Sequence, residues 1–299
     1  MPARELLLFA ITPPRSTTPP ERVAQIAAAT IDRLAPIGPD ALIVYDIDDE
    51  SDRTAAPRPF PFLPTLDPAD YAGRHLSAWS GPVVIYRAVG KYEPGDLSRW
   101  LAAQDTTTTR TVFVGSSSRH KSVPTTLRQA YELRAAEAPD LRLGGVMIPE
   151  RHTRAGDEHL RLLDKQSAGC SFFVSQIVFD TTAAKNLVSD YHYECAARAM
   201  APAPLVFTFS VCGSMKTLEF MKWLGVDVPR WVRNDLHHAG DTLAASVEQS
   251  LLAARDLIAF CRRLSTPFGI NIESVSIRRD EIDAAVTLAQ RVKAELRRP

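Results

Sequence analysis

The sequence predicts a (β/α)8, or TIM, barrel that forms one domain over residues 1–299, and three observations predict it. Eight short apolar runs recur along the chain. Most are continuously hydrophobic rather than alternating, as strands covered on both faces must be, and the stretches between them carry helical periodicity. Eight such units in about 250 or more residues fit a closed barrel better than a doubly wound sheet. The doubly wound alternative would put a G-x-G-x-x-G loop after the first strand. Thr12-Pro13-Pro14-Arg15-Ser16 stands there instead, and no Walker A sequence occurs.

The predicted strands are Leu6 to Ile11, Ala41 to Asp46, Val83 to Ala88, Thr111 to Gly115, Leu143 to Ile148, Phe172 to Gln176, Leu205 to Ser210 and Gly269 to Ser274. Proline in a first turn marks several helix starts: Pro20 before Val23 to Leu34, Pro68 before Ala69 to Trp79, Pro94 before Leu97 to Leu101, and Pro124 before Leu127 to Ala136. Later helices are expected at Leu160 to Ala168, Thr181 to Met200, Ser214 to Leu224, Leu243 to Leu264 and Ile282 to Leu296. The proline-rich segment from Ala55 to Pro68 reads as a long loop after strand two.

Charge and composition narrow the function. Lys plus Arg number 35 against 35 Asp plus Glu, and this balance argues against nucleic-acid binding, which draws its affinity from basic side chains replacing counterions. No apolar run approaches the ~20 residues that span a bilayer, and no signal peptide is read at the start, so a cytoplasmic protein without a membrane partner is expected. Cys170, Cys195, Cys212 and Cys261 are far apart with no C-x-x-C pair, and His237 and His238 are adjacent rather than four apart. Buried thiols are expected, and no metal.

In a barrel the chemistry sits where strands end and βα loops begin. The polar residues there are Thr12; Asp46 and Asp48; Arg87; Ser116 and Ser117; Glu150 and His152; Gln176 and Asp180; Ser210; and Asn271, Glu273 and Ser274. Gln176 and Glu273 have bland readings as a satisfied strand-end amide and an ion-paired carboxylate. Glu150 and His152 have one as loop residues. The segment from Ser116 to Lys121 is a small basic loop suited to an anion such as a cofactor phosphate, or equally a solvated loop.

Two segments carry a family resemblance. Lys165-Gln166-Ser167-Ala168-Gly169-Cys170 through Ser175-Gln176-Ile177-Val178-Phe179-Asp180 resembles the K-x-x-A-G-A-x-x-x-x-T-Q-x-x-F-D stretch of the methylenetetrahydrofolate reductase family. Phe9-Ala10-Ile11-Thr12-Pro13-Pro14-Arg15 resembles its opening F-E-x-x-P-P-[KR]. Weaker echoes lie at Ser51-Asp52-Arg53-Thr54, Pro149-Glu150-Arg151-His152 and Val226-Asp227-Val228-Pro229-Arg230-Trp231. The resemblance implies a barrel enzyme that reduces 5,10-methylenetetrahydrofolate to 5-methyltetrahydrofolate with NAD(P)H as co-substrate. On matched positions, Gln176 would hydrogen-bond the pterin, whose mixed donors and acceptors suit an amide, with Ser117 and Ser210 as further substrate contacts. Lys165, His152, Glu150 and Ser116 would serve the cofactor.

The departures shape the expected chemistry. The family's strand-one acid falls on Ala10, its strand-four R-G-D falls on Gly115-Ser116-Ser117, and its strand-two T-Y-G-A becomes Val44-Tyr45-Asp46-Ile47. A bound FAD would lose several partners, so a flavin-independent branch is expected, with hydride passing directly from the nicotinamide. Glu273, on a strand that neighbours strand one in a closed barrel, is the candidate replacement acid, and Asp46 is its competitor. A folate barrel that transfers one-carbon units without net reduction, or a non-catalytic folate binder, is the alternative.

Overall fold

A computed structural model describes residues 5–50, 54–116 and 122–298. Its strands are β1 (Leu6–Ile11), β2 (Ala41–Val44), β3 (Val83–Ala88), β4 (Thr109–Val114), β5 (Arg142–Met147), β6 (Cys170–Ile177), β7 (Leu205–Ser210) and β8 (Phe268–Glu273). They are hydrogen-bonded in sequence order into a closed barrel. The helices are α1 (Pro20–Leu34), α2 (Pro68–His75), α3 (Pro94–Ala102), α4 (Leu127–Glu137), α5 (Pro149–Ala155), α6 (Glu158–Ser167), α7 (Thr181–Ala197), α8 (Met215–Trp223), α9 (Arg230–His238), α10 (Thr242–Leu264) and α11 (Arg279–Leu296). The predicted barrel is therefore the observed one.

The helix starts follow from local chemistry. Proline opens α1, α2, α3 and α5, where its missing N–H costs nothing. Thr126 and Gln129 form a reciprocal capping box on α4, and Asp180, Ser214 and Asp241 cap α7, α8 and α10. Several boundaries differ from expectation. β2 stops at Val44, two residues before Asp46, whose carboxylate accepts from the Ala88 N–H, Lys91 and Tyr92. α2 stops at His75, and Trp79 instead donates its indole N–H to the Pro82 carbonyl at 3.2 Å. The segment after β5 forms the short helix α5 rather than a loop.

The contacts group into two compact units. One comprises Val146–Ser167 and Phe172–Pro299 together with β1 as far as Phe9; the other comprises Ala10–Gly145 and Ala168–Ser171. In the first unit, β7 and β8 are buried at every position. A core of Ile177, Phe179, Cys212, Leu218, Met221, Val226, Val232 and Leu236 seats α8 and α9. Glu5 and Arg262 form a two-pronged ion pair at 2.7 Å that ties the start of β1 to α10. In the second unit, β2, β3 and β4 pair in parallel over Leu42, Ile43, Val84, Ile85, Val112 and Phe113, all nearly inaccessible. The four cysteines are free and buried, as expected.

A close approach follows β7. The Gly213 N–H donates to the buried Glu281 carboxylate at 3.1 Å, and a Cβ at Gly213 would lie 2.6 Å from the Glu281 side chain. Gly213→Ala should therefore destabilise the protein by about 1–3 kcal/mol, the usual cost of overpacking a filled site. Urea unfolding at neutral pH reads this as a lower midpoint. An unchanged midpoint would mean that Glu281 moves aside freely.

Candidate functional site

A bulge positions Gln176. Along the β6–β7 ladder Val174 pairs with Val206 and Ile177 with Thr208, so β6 spends one residue more than β7 over that step. The Thr208 N–H, displaced from a regular partner, donates instead to the Ser175 hydroxyl at 2.8 Å. Bulges re-aim side chains at strand ends. Here the half-buried Gln176 donates from its amide nitrogen to the Leu224 carbonyl at 2.8 Å. That bond uses one of the two N–H groups of the side-chain amide.

The β7–β8 register sets Ser210 opposite Glu273, so two of the sequence-predicted residues meet on neighbouring strands. Both are buried, at 1% and 7% exposure. One layer earlier in the same ladder, the Asn271 amide donates to the Thr208 hydroxyl at 3.2 Å. The Ser210 carbonyl accepts from Ser250 on α10 at 3.0 Å, which anchors the strand end to its helix layer.

Glu150, His152 and Lys165 surround the end of β5. Lys165 donates its ammonium to the Val146 carbonyl, and the Glu158 carboxylate accepts the Ile148 N–H at 3.0 Å. The residues of α6 thus finish the backbone pairing of β5. Lys165 thus has a structural role. His152, buried on α5, shares a 3.0 Å hydrogen bond with Asp190 on α7. Glu150, in the first turn of α5, is 3% exposed, and among the described residues neither carboxylate oxygen finds a hydrogen-bond partner on another residue. Burial is the main reason its pKa rises to about 7. The nearby Asp227 and Asp180 add to the rise, while its own first-turn N–H and Arg154 oppose it. A carboxyl half protonated near neutrality can both donate and accept a hydrogen bond.

In the other unit, Asp46 accepts from the Ala88 N–H at 2.9 Å, the Tyr92 hydroxyl at 2.7 Å and the Lys91 ammonium at 2.5 Å. Three donors already occupy it, as a carboxylate holding the β2 and β3 ends together would require. Arg87 lies between the Trp100 and Tyr92 rings, with its guanidinium carbon 4.2 and 4.8 Å from their centroids, and pairs with Asp67. Burial pushes the Asp67 carboxyl up, but Arg87 and two helix N–H groups outweigh it and hold the pKa below the usual range. Ser116 is exposed at the end of β4. Ser117 and the rest of the basic segment through Lys121, like Ser51, Asp52 and Arg53, lie outside the described residues.

Sequence reasoning missed His159 and Asp190, which join His152 only because α5, α6 and α7 pack together. It also read Glu150 as a loop residue, although Pro149 directly before it is a helix start signal.

No protein-family profile and no curated protein sequence matches the chain. Among solved structures, the chain is similar to an uncharacterized protein from Clostridium thermocellum that binds two copies of 5-methyl-5,6,7,8-tetrahydrofolic acid. The two are 39% identical with a TM-score of 0.86, over 98% of this chain and 96% of that one. A GH10 endoxylanase from a sugarcane soil metagenome, 8% identical with a TM-score of 0.53 over 90% of this chain and 86% of that one, shares the fold alone.

The buried Glu150 gives a signed pH dependence. Its folded-state pKa of about 7 exceeds the unfolded value of 4.5, so the folded chain holds more protons between these values. Stability is then lost as pH rises through that window. Glu150→Gln should leave stability nearly unchanged at pH 4 and raise it by up to about 3 kcal/mol at pH 8, where the charged form bears its full desolvation cost. Urea unfolding of both proteins at the two pH values measures the difference. A variant less stable than wild type at pH 8 would mean that the carboxylate is paired.

Proposed function

This chain belongs to the family of the Clostridium thermocellum protein, and from that premise we propose that it binds a reduced folate of the 5-methyltetrahydrofolate class at the C-terminal ends of β6, β7 and β8. The observation that carries the reading is the 39% identity, across nearly the whole of both chains, with a protein whose ligand is that folate. The re-aimed Gln176 supports it. A pterin presents an amide-like edge, and a side-chain amide that carries both an acceptor and a second N–H, already anchored to Leu224, suits such an edge at little further cost in ordering.

Glu150 favours a second, finer reading, in which the bound folate is reduced from the methylene to the methyl state. Opening the five-membered ring of 5,10-methylenetetrahydrofolate puts a proton on N10 and leaves an N5 iminium. Hydride from NAD(P)H then adds to the iminium carbon, giving 5-methyltetrahydrofolate and NAD(P)+. The proton donor must be an acid present in its neutral form near pH 7. Glu150, raised to about 7 by burial, meets that requirement, and with Glu273 it makes two candidates in the same unit. Asp46 fits less well, because three donors already hold its carboxylate. That occupied carboxylate also stands where the strand-two flavin contact of the methylenetetrahydrofolate reductase family would fall, so no step is routed through a flavin.

Calorimetric titration of the purified protein with 5-methyltetrahydrofolate should show saturable binding. Gln176→Leu should weaken it roughly tenfold or more, while the unfolding free energy from urea titration falls only by the ~1 kcal/mol of the lost Leu224 bond. Absence of binding in the wild type would refute the folate reading. Nicotinamide oxidation on mixing protein, methylenetetrahydrofolate and NADH or NADPH tests the finer one. Turnover that survives in Glu273→Gln and disappears in Glu150→Gln would assign the acid to α5. Folate binding without any oxidation would leave a binder.

A further inference from the structure

A second cluster of side chains lies in the same unit as the proposed folate site. His152 on α5, His159 in the first turn of α6 and Asp190 on α7 each offer one ligand atom, and these atoms lie within 4.8 Å of one another. The chain brings the two histidines together through Gly156, whose φ of +68° ends α5 and turns it directly into α6. Their rings meet edge to face with centroids 5.2 Å apart. A His152–Asp190 hydrogen bond at 3.0 Å explains two of the residues, but not the third. The His152 side chain is only 5% exposed, yet among the described residues neither its Nδ1 nor the Nδ1 of His159 finds a hydrogen-bond partner.

We propose that His152, His159 and Asp190 form a binding site for a divalent transition-metal ion of the zinc class, which clasps α5, α6 and α7 together. Two imidazoles and one carboxylate are a nitrogen and oxygen set that suits zinc better than calcium or magnesium, which take oxygen ligands. Tetrahedral zinc with ligands at about 2.0–2.1 Å spaces them about 3.3 Å apart. The 3.0 Å His152–Asp190 contact would open by a few tenths of an ångström, and the widest separation would close by about 1.5 Å. Asp190 has the freedom for this, since its side chain is 54% exposed. That exposure also leaves the fourth position to water. The histidines are seven apart in sequence, a spacing that matches no single-helix motif.

Chelator-treated full-length protein, dialysed against zinc chloride and then against metal-free buffer, should retain one zinc per chain by elemental analysis, and its thermal midpoint should rise with added zinc. His159→Ala and Asp190→Asn, which alter the half-buried and exposed ligands and spare the buried His152, should each lose the retained zinc and the midpoint shift. Both should keep the wild-type midpoint in chelator to within a few degrees. Cobalt(II) should give the intense visible absorption of a four-coordinate site in the wild type only. No retained zinc, or equal retention in both variants, would overturn the proposal. The second result would assign the binding to other groups, such as the adjacent His237 and His238.

Discussion

Burial of the strands on both faces is the constraint on which the rest of the structure depends. Every residue of β7 and β8 is inaccessible, so any polar side chain there must find a partner inside the barrel or sit where a ligand can supply one. Thr208 and Asn271 take the first course by bonding to one another, and Ser175 stands in for a backbone acceptor at the β6 bulge. Gln176, Ser210 and Glu273 lie further along the same strands, where the packed layers give way to loops. A few polar groups in an apolar surround are what a flat, amide-edged ligand requires: wide apolar contact with a small number of fixed hydrogen bonds.

The same economy explains Glu150. A carboxyl at 3% exposure that finds no partner on another described residue cannot remain charged cheaply, and its neighbours Asp227 and Asp180 make the charge still less welcome. Burial of this carboxyl favours its neutral form and makes the charged form costly above neutral pH. Ion-paired carboxylates such as Asp67 and Glu295 are held low instead, by Arg87 and Arg255 respectively despite the opposing desolvation. The contrast separates carboxylates that hold the framework from one that is energetically poised to exchange a proton.

Much of the fold was legible because its determinants are local. Continuous apolar runs marked all eight strands, and Pro20, Pro68 and Pro94 marked helix starts, each within a few residues of the observed boundary. The short helix α5 escaped because seven residues cannot display a periodic apolar stripe. The site was less legible, for reasons of distance along the chain. Asp46 meets its partners 42 to 46 residues away, and Gln176 meets Leu224 48 residues away. No spacing rule exposes such pairs. The β6 bulge depends on the register of two strands, which a single run of sequence does not encode.

A crystal structure of the protein grown with 5-methyltetrahydrofolate tests the central claim most directly. The account predicts pterin density at the C-terminal ends of β6 to β8, with its edge within hydrogen-bond distance of the Gln176 side-chain amide and the Gln176–Leu224 bond intact. Pterin density elsewhere on the chain, with Gln176 contacting only Leu224, would contradict it and return Gln176 to a purely structural role.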